Sequence, residues 1–233
     1  MDTPSDPGPG PERPGEPGEP GEPVELVHDL HDGPDLPAAV AASRRAADAA
    51  RRVVAGLTAP GADAATLTEV AAALERLADV LEPHRRGSRW PAPRPATRTD
   101  ATPDPAVWES HPLLGPSHPL APPIRIERHG DRAVGTVTFG HTYEGPPGAV
   151  HGGIVAAMFD IILISAASIA EVAGLTGTLT VRYRAATPLF REIRYEAQID
   201  EVRARTALVS GRSTADGVLL AEAEGIFVRV PRA

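Results

Sequence analysis

One strongly apolar segment constrains the fold of this chain more than any other feature. It reads GGIVAAMFDIILISAASIAEVAG from Gly152 to Gly174 and carries an aspartate, Asp160, in its first half. Its length alone would allow a membrane span. The aspartate, the missing aromatic belt and the period-two segments directly after it favour instead a helix enclosed by a sheet. No membrane span is therefore expected.

The segments around this helix alternate apolar and polar residues with period two. Between Arg194 and Val202, tyrosine, alanine and isoleucine alternate with glutamate, glutamine and aspartate, as in a strand with one buried face. The run Arg205–Ser213 leads to the turn Asp216-Gly217 and a last strand, Leu219–Val230. Earlier strands are predicted at Ile124–Arg128, Ala133–Gly140 and Thr178–Arg184. These elements predict an α+β domain over residues 108–231.

The residues before this domain fall into three segments. Residues 1–33 repeat Gly-Glu-Pro and are predicted to be a disordered tail, because such sequence buries too little apolar surface. Residues 34–86 are predicted to form a helical hairpin, with apolar residues at helical spacing and a turn near Pro60. Residues 87–107 are rich in proline, which predicts a linker.

The composition excludes several classes of function. The chain contains no cysteine and no lysine, which removes disulfides, thiolate nucleophiles, Walker phosphate loops and Schiff-base enzymes. A net charge of -8 argues against nucleic-acid binding. No motif typical of serine hydrolases or zinc peptidases occurs, and no metal or cofactor is expected. The N-terminus has no apolar signal-peptide core, so a cytoplasmic location is expected.

The candidate site lies at the start of the apolar helix. Glycines at Gly152 and Gly153 allow close backbone approach and leave first-turn N–H groups directed at an anion or oxyanion, although they could also do no more than start the helix. Asp160 lies among apolar neighbours, where an ionised carboxylate is costly unless it is paired. A solvent-facing position is the alternative, but the apolar surroundings favour a functional role.

The spacing of these residues bears on oligomeric state. Gly153 and Asp160 are seven residues apart, which corresponds to about 10 Å along a helix. Both groups therefore cannot touch one reacting carbonyl within a single chain. An isologous dimer with antiparallel helices would bring Gly153 of one chain to Asp160 of the other. The spacing favours a homodimer with its site at the interface.

Several motifs of the main domain resemble a known family. The block YEGPPGAVHGG, the following MFD, the strand TGTLTVRY and the turn TPLF are similar to those of hotdog-fold acyl-CoA thioesterases, in the PaaI-like and mammalian mitochondrial branch. The resemblance runs from about His111 to Val230. It implies a curved antiparallel sheet wrapped round one long helix, and hydrolysis of acyl-CoA to CoA and a carboxylic acid, as in fatty acid metabolism.

The resemblance also implies catalytic roles. Asp160 would activate water as a general base, or attack the thioester as a nucleophile. The Gly153 N–H would polarise the carbonyl, and His151 would position substrate or water near the helix start. Thr176 would hold the water or the carboxylate.

Substrate contacts are implied for five further residues. Gly148 and Gly152 are expected beside the substrate, and Arg182, Arg184 and Arg191 could meet the phosphates of CoA. Arginines on strands are more often solvated, and Ala185-Ala186 stand where relatives often carry an Arg-Pro pair.

Alternatives remain open at this point. A hotdog protein that binds acyl-CoA or only scaffolds an assembly is the second hypothesis, and a hotdog enoyl-CoA hydratase is the third. The homo-oligomer could be a dimer or a dimer of dimers. The N-terminal helices could cap the acyl tunnel, mediate assembly or tether a partner.

Overall fold

The computed structural model describes residues 25–26, 36–58, 61–85, 87, 108–169, 172 and 174–229. The α-helices whose full extent lies within the described residues are α1 Ala38–Thr58, α2 Ala64–Leu81 and α3 Gly152–Ile169. The strands are β1 Glu25–Leu26, β2 Arg125–His129, β3 Arg132–Thr138, β4 Leu175–Tyr183, β5 Glu192–Val202, β6 Thr206–Ala215 and β7 Val218–Val228.

The strands form one antiparallel sheet in the order β1-β2-β3-β5-β6-β7-β4. β4 follows α3 in the chain but lies at the far edge, where β7 is its only partner among the described strands. The predicted turn between β6 and β7 is present, with positive φ at Asp216 and Gly217. A single long helix against an antiparallel sheet confirms the predicted hotdog fold.

Helix α3 packs against the inner face of the sheet and supplies much of the core. Its buried residues are Val155, Met158, Phe159, Ile161, Ile162, Leu163, Ser165, Ala166 and Ala167. The helix is long and apolar enough to cross a membrane by length and composition alone. Enclosure by the sheet accounts for the apolar character of this buried face.

Glycines on the sheet let α3 approach closely. A Cβ at Gly211 would lie 2.8 Å from the Glu196 carbonyl oxygen and 3.0 Å from Leu163 Cδ2. A Cβ at Gly225 would lie 3.1 Å from Leu163 Cδ1. The missing side chains at these two positions leave room for Leu163 to pack against the sheet.

The N-terminal helices form where the sequence predicts them, and their arrangement as a hairpin stays a prediction. Helix α1 packs on the main domain: Arg44 forms an ion pair with Glu109, and Arg51 donates to the carbonyl oxygens of Pro116 and His118 at 2.7 and 2.9 Å. These contacts hold α1 against the domain, whereas α2 has no buried residue.

Two residues of the predicted disordered tail are ordered. Glu25 and Leu26 pair with Arg128 and Glu127 at the edge of β2. The prediction of disorder is wrong for these two residues, and the rest of residues 1–33 lies outside the described part of the chain. The predicted linker lies outside it as well, except for Gly87.

The close approach of α3 to the sheet is tested by Gly211→Ala. We expect the free energy of unfolding to fall by about 1–3 kcal/mol, because the added methyl group forces the β5 backbone or Leu163 to move. Chemical denaturation at fixed protein concentration measures the change. Gly56→Ala on α1 is the control, since no atom lies within 4 Å of its Cβ. Equal stability of Gly211→Ala and the native chain would contradict this packing.

Candidate active site

His151 caps the N-terminus of α3. Its backbone N–H donates to the Tyr143 carbonyl at 2.8 Å, and its carbonyl accepts from the Ile154 N–H at 2.9 Å. Its Nδ1 accepts a hydrogen bond from the Gly153 N–H at 3.0 Å. A side chain that accepts from a first-turn N–H satisfies one of the donors that a helix start leaves open. His151 therefore fixes the first turn of the helix.

The Gly152 N–H is the open donor at this helix end. Among the described residues, it has no hydrogen-bond partner. The Gly152 carbonyl accepts from the Tyr183 hydroxyl at 2.8 Å, which ties the peptide to β4. The positive end of the helix dipole adds to the attraction of this N–H for a negatively charged oxygen.

This arrangement alters the predicted role of Gly153. The sequence assigned the oxyanion donor to the Gly153 N–H, but that N–H already donates to His151 in the structure. A carbonyl oxygen could accept from it only after the imidazole turns away. Gly152, which the sequence placed among substrate contacts, holds the open N–H.

Asp160 lies further along α3 and is half-buried. Its Oδ1 accepts from the Thr176 hydroxyl at 2.7 Å, so the predicted pair of residues is brought together. Phe159 and Ile161, on either side of it in sequence, are buried against the sheet. The carboxylate therefore emerges on a face of α3 that the sheet leaves partly uncovered, and Thr176 leaves its second oxygen open for another partner.

A bulge in β4 aims Thr176 at Asp160. Tyr183 faces α3, so regular alternation along the strand would place Gly177 on the helix side and Thr176 on the outer side. The pairing register shifts between Thr176 and Thr178, and Thr176 pairs with the buried Phe227. The extra residue turns the Thr176 hydroxyl toward the helix.

The extra position leaves little room for a side chain. A Cβ at Gly177 would lie 2.9 Å from Val228 Cγ2 and 3.3 Å from the Ile226 carbonyl oxygen. Glycine removes this conflict and permits the bulge. Gly177 and Tyr183 were both missed by the sequence analysis. The signal for Gly177 was an isolated glycine within a strand. The signal for Tyr183 was its place on the inward-facing side of the strand alternation.

Gly148 serves the loop that precedes α3. Its φ of 76° is in the left-handed region, and its N–H donates to Glu144 Oε1 at 2.7 Å. The pKa of Glu144 is lowered, mainly by this hydrogen bond and then by the bond from His141. The structure thus gives Gly148 a role in the turn, and its predicted substrate contact stays a prediction.

Arg182 and Arg184 lie on the opposite side of the sheet from the other candidate residues. Their side chains form ion pairs with Glu224 and Glu222 at 2.7 and 2.8 Å. These groups line an open groove of about 520 Å³ on the outer face. The structure therefore does not bring either arginine to the start of α3 in the same chain.

The arrangement combines a backbone donor with a carboxylate. Within the part of the chain that the structure describes, no cluster of three or more potential metal ligands occurs. An open N–H at a helix start can stabilise a developing oxyanion, and a carboxylate with one open oxygen can accept a proton from water.

The bulge is tested by Gly177→Ala. We expect the crystal structure of the variant to show Thr176 Oγ1 beyond hydrogen-bond distance of Asp160, because the new methyl group collides with Val228. The free energy of unfolding should fall by about 1–3 kcal/mol. A variant that keeps both the hydrogen bond and its stability would show that the bulge does not depend on glycine.

Comparison with known proteins gives three findings. A sequence profile described as the thioesterase superfamily matches residues 147–221. A thioesterase superfamily protein of known crystal structure is 33% identical, covers 88% of this chain and 95% of its own, and superposes with a TM-score of 0.70. Acyl-coenzyme A thioesterase THEM4 of Bos taurus is 32% identical over 89 residues, or 37% of this chain. This chain spans about a third, 36%, of that curated relative.

The similarity to the solved structure extends over nearly the whole of that protein and agrees with the observed hotdog architecture. The family resemblance predicted from the HGG and MFD motifs is therefore confirmed. The chain belongs to the thioesterase superfamily.

Proposed function

We propose that this protein hydrolyses acyl-CoA thioesters at sites shared between two subunits. The observation that carries the proposal is the Asp160 carboxylate, held by Thr176 on a partly uncovered face of α3. Membership of the thioesterase superfamily supports thioester chemistry, and the similar Bos taurus protein is named an acyl-coenzyme A thioesterase.

The edge of the sheet supports a dimer. β4 is nine residues long, is exposed along most of its length, and has a partner on one side only within the described part of the chain. A long unpaired edge favours pairing with another strand. A second copy related by a two-fold axis would pair its own β4 with this edge and place the two α3 helices side by side and antiparallel.

This dimer would bring together two groups that are too far apart within one helix. The donor at Gly152 and the carboxylate at Asp160 are eight residues apart, or about 12 Å along α3. Antiparallel helices bring Gly152 of one subunit toward Asp160 of its partner. Each dimer then holds two equivalent sites, and each site takes one group from each chain.

The proposed reaction begins with attack on the thioester carbonyl. Asp160 accepts a proton from water as the water oxygen forms a bond to the carbonyl carbon. The carbonyl oxygen takes up the negative charge and accepts a hydrogen bond from the Gly152 N–H, at the positive end of the helix dipole. Thr176 keeps the carboxylate in position by donating to its other oxygen.

The tetrahedral species then collapses. The carbon–sulfur bond breaks, the sulfur leaves as the CoA thiolate, and the proton held by Asp160 passes to that sulfur. Direct attack by Asp160 would instead expel the CoA thiolate and give a mixed anhydride, which one water would hydrolyse. Both routes yield CoA and a carboxylic acid, and both require Asp160.

His151 has an indirect role in this proposal. By accepting from the Gly153 N–H, it fixes the Gly152–Gly153 peptide, which directly follows the peptide that carries the open Gly152 N–H. The Tyr183 hydroxyl fixes the same peptide through the Gly152 carbonyl. The donor is thus positioned before substrate arrives, which is the condition for effective oxyanion stabilisation.

The second candidate function is binding of acyl-CoA without hydrolysis. It differs from the first in one measurable product, free CoA thiol. The chain contains no cysteine, so a thiol-reactive dye reports CoA alone, without background from the protein.

We predict that Asp160→Asn lowers kcat for thiol release by about a hundredfold or more, the range expected for loss of a general base. A panel of short to long acyl-CoAs identifies the substrate for this comparison. Asp131→Asn is the control, since Asp131 lies exposed in the β2–β3 turn. It should keep native activity.

The same assay separates the two candidate functions. Near-native activity of Asp160→Asn would contradict the assigned carboxylate. A native protein that binds acyl-CoA but releases no thiol from any member of the panel would support the binding protein instead.

A further inference from the structure

Phe190 has a strained backbone and an exposed ring. Its φ is 57°, a backbone conformation that residues other than glycine, asparagine and aspartate rarely adopt. The residue is 61% exposed, so burial of the aromatic group does not offset the strain. Residues held in this way are concentrated at ligand sites, where the surrounding structure imposes the conformation.

Main-chain hydrogen bonds around Phe190 impose this positive φ. The Phe190 N–H donates to the Phe139 carbonyl at 2.8 Å, and the Leu189 N–H donates to the Gly148 carbonyl at 3.3 Å. Leu189 itself is buried. The backbone is anchored on both residues, and the ring is directed outward.

The His141 ring lies beside the Phe190 ring. The rings of His141 and Phe190 lie edge to face, with centroids 4.7 Å apart and planes at 74°. His141 Nδ1 lies 2.8 Å from Glu144 Oε2, and Glu144 in turn accepts from the Gly148 N–H. The imidazole is therefore held in place. We call these two rings the aromatic corner.

The aromatic corner lies at the same end of α3 as the open Gly152 N–H. The Val150 N–H donates to the Thr187 carbonyl at 2.9 Å, so the loop before α3 runs beside the turn that carries Phe190. Gly148, beside Leu189, is four residues from Gly152, which is about 13 Å of extended chain. A ligand with a long flexible arm can reach from one point to the other.

A cation is present beside the corner. Arg191 follows Phe190 directly, is largely exposed, and forms an ion pair with Asp216. A guanidinium has five N–H donors, so a single carboxylate leaves donors for a phosphate oxygen.

We infer that Phe190 and His141 form a stacking subsite for the purine ring of the CoA nucleotide, with Arg191 beside its phosphates. The inference rests on the proposed function for its ligand, because acyl-CoA joins a thioester to a purine nucleotide through a long arm. A flat base stacks on an exposed aromatic face without needing specific hydrogen bonds.

The test uses Phe190→Gly. Glycine adopts a positive φ without strain, so the variant removes the ring without a folding penalty from the backbone. We expect KM for acyl-CoA to rise roughly tenfold with kcat unchanged, as for loss of one base–aromatic stack. KM for the matching acyl-pantetheine thioester, which lacks the nucleotide, should not change. Phe190→Tyr keeps a planar ring and should keep the native KM.

Binding of free CoA by calorimetry separates this inference from the proposed function. If the native protein hydrolyses neither thioester, the proposed function fails, and the subsite stands only if CoA binds the native protein roughly tenfold more tightly than Phe190→Gly. An unchanged KM and an unchanged CoA affinity in Phe190→Gly would overturn the subsite. Loss of dimer in sedimentation, with CoA affinity unchanged, would overturn it in favour of a subunit contact.

Discussion

The packing of α3 against the curved sheet is the interaction on which the rest of this structure depends. Burial of Phe159, Ile162 and Leu163 fixes the rotation of the helix, and the small residues of the sheet set its depth. That rotation determines which face of α3 the sheet leaves partly uncovered, and Asp160 lies on that face. A core interaction thereby determines where the carboxylate can meet water and substrate.

Strand β4 connects this core to the site in three ways. Its bulge at Gly177 turns Thr176 toward Asp160, its last residue Tyr183 donates to the Gly152 carbonyl, and its free edge is available for a second copy. The strand is exposed because it ends the sheet, which is unfavourable for an isolated subunit. In the proposed dimer, the same edge would bring each donor to the partner's carboxylate.

The sequence predicted the elements that depend on local pattern. Period-two alternation located the strands, the apolar run located α3, and the family motifs paired Asp160 with Thr176. It did not predict that the His151 side chain accepts a hydrogen bond from the Gly153 N–H, because this capping bond depends on the rotamer of the side chain. It placed Arg182 with the substrate although the strand phase turns it outward, toward Glu224. The contacts of α1 with the main domain were not predicted, because apolar periodicity does not specify which surface a helix contacts.

A complementation experiment tests the shared site most directly. One chain carries Asp160→Asn, and the other carries Gly152→Pro, which removes the donor N–H at a first-turn position where proline is tolerated. Each homodimer should be inactive, whereas the purified heterodimer keeps one intact pair of groups and should regain about half of the native activity, if two equivalent sites act independently. A heterodimer as inactive as both homodimers would contradict a site built from two subunits.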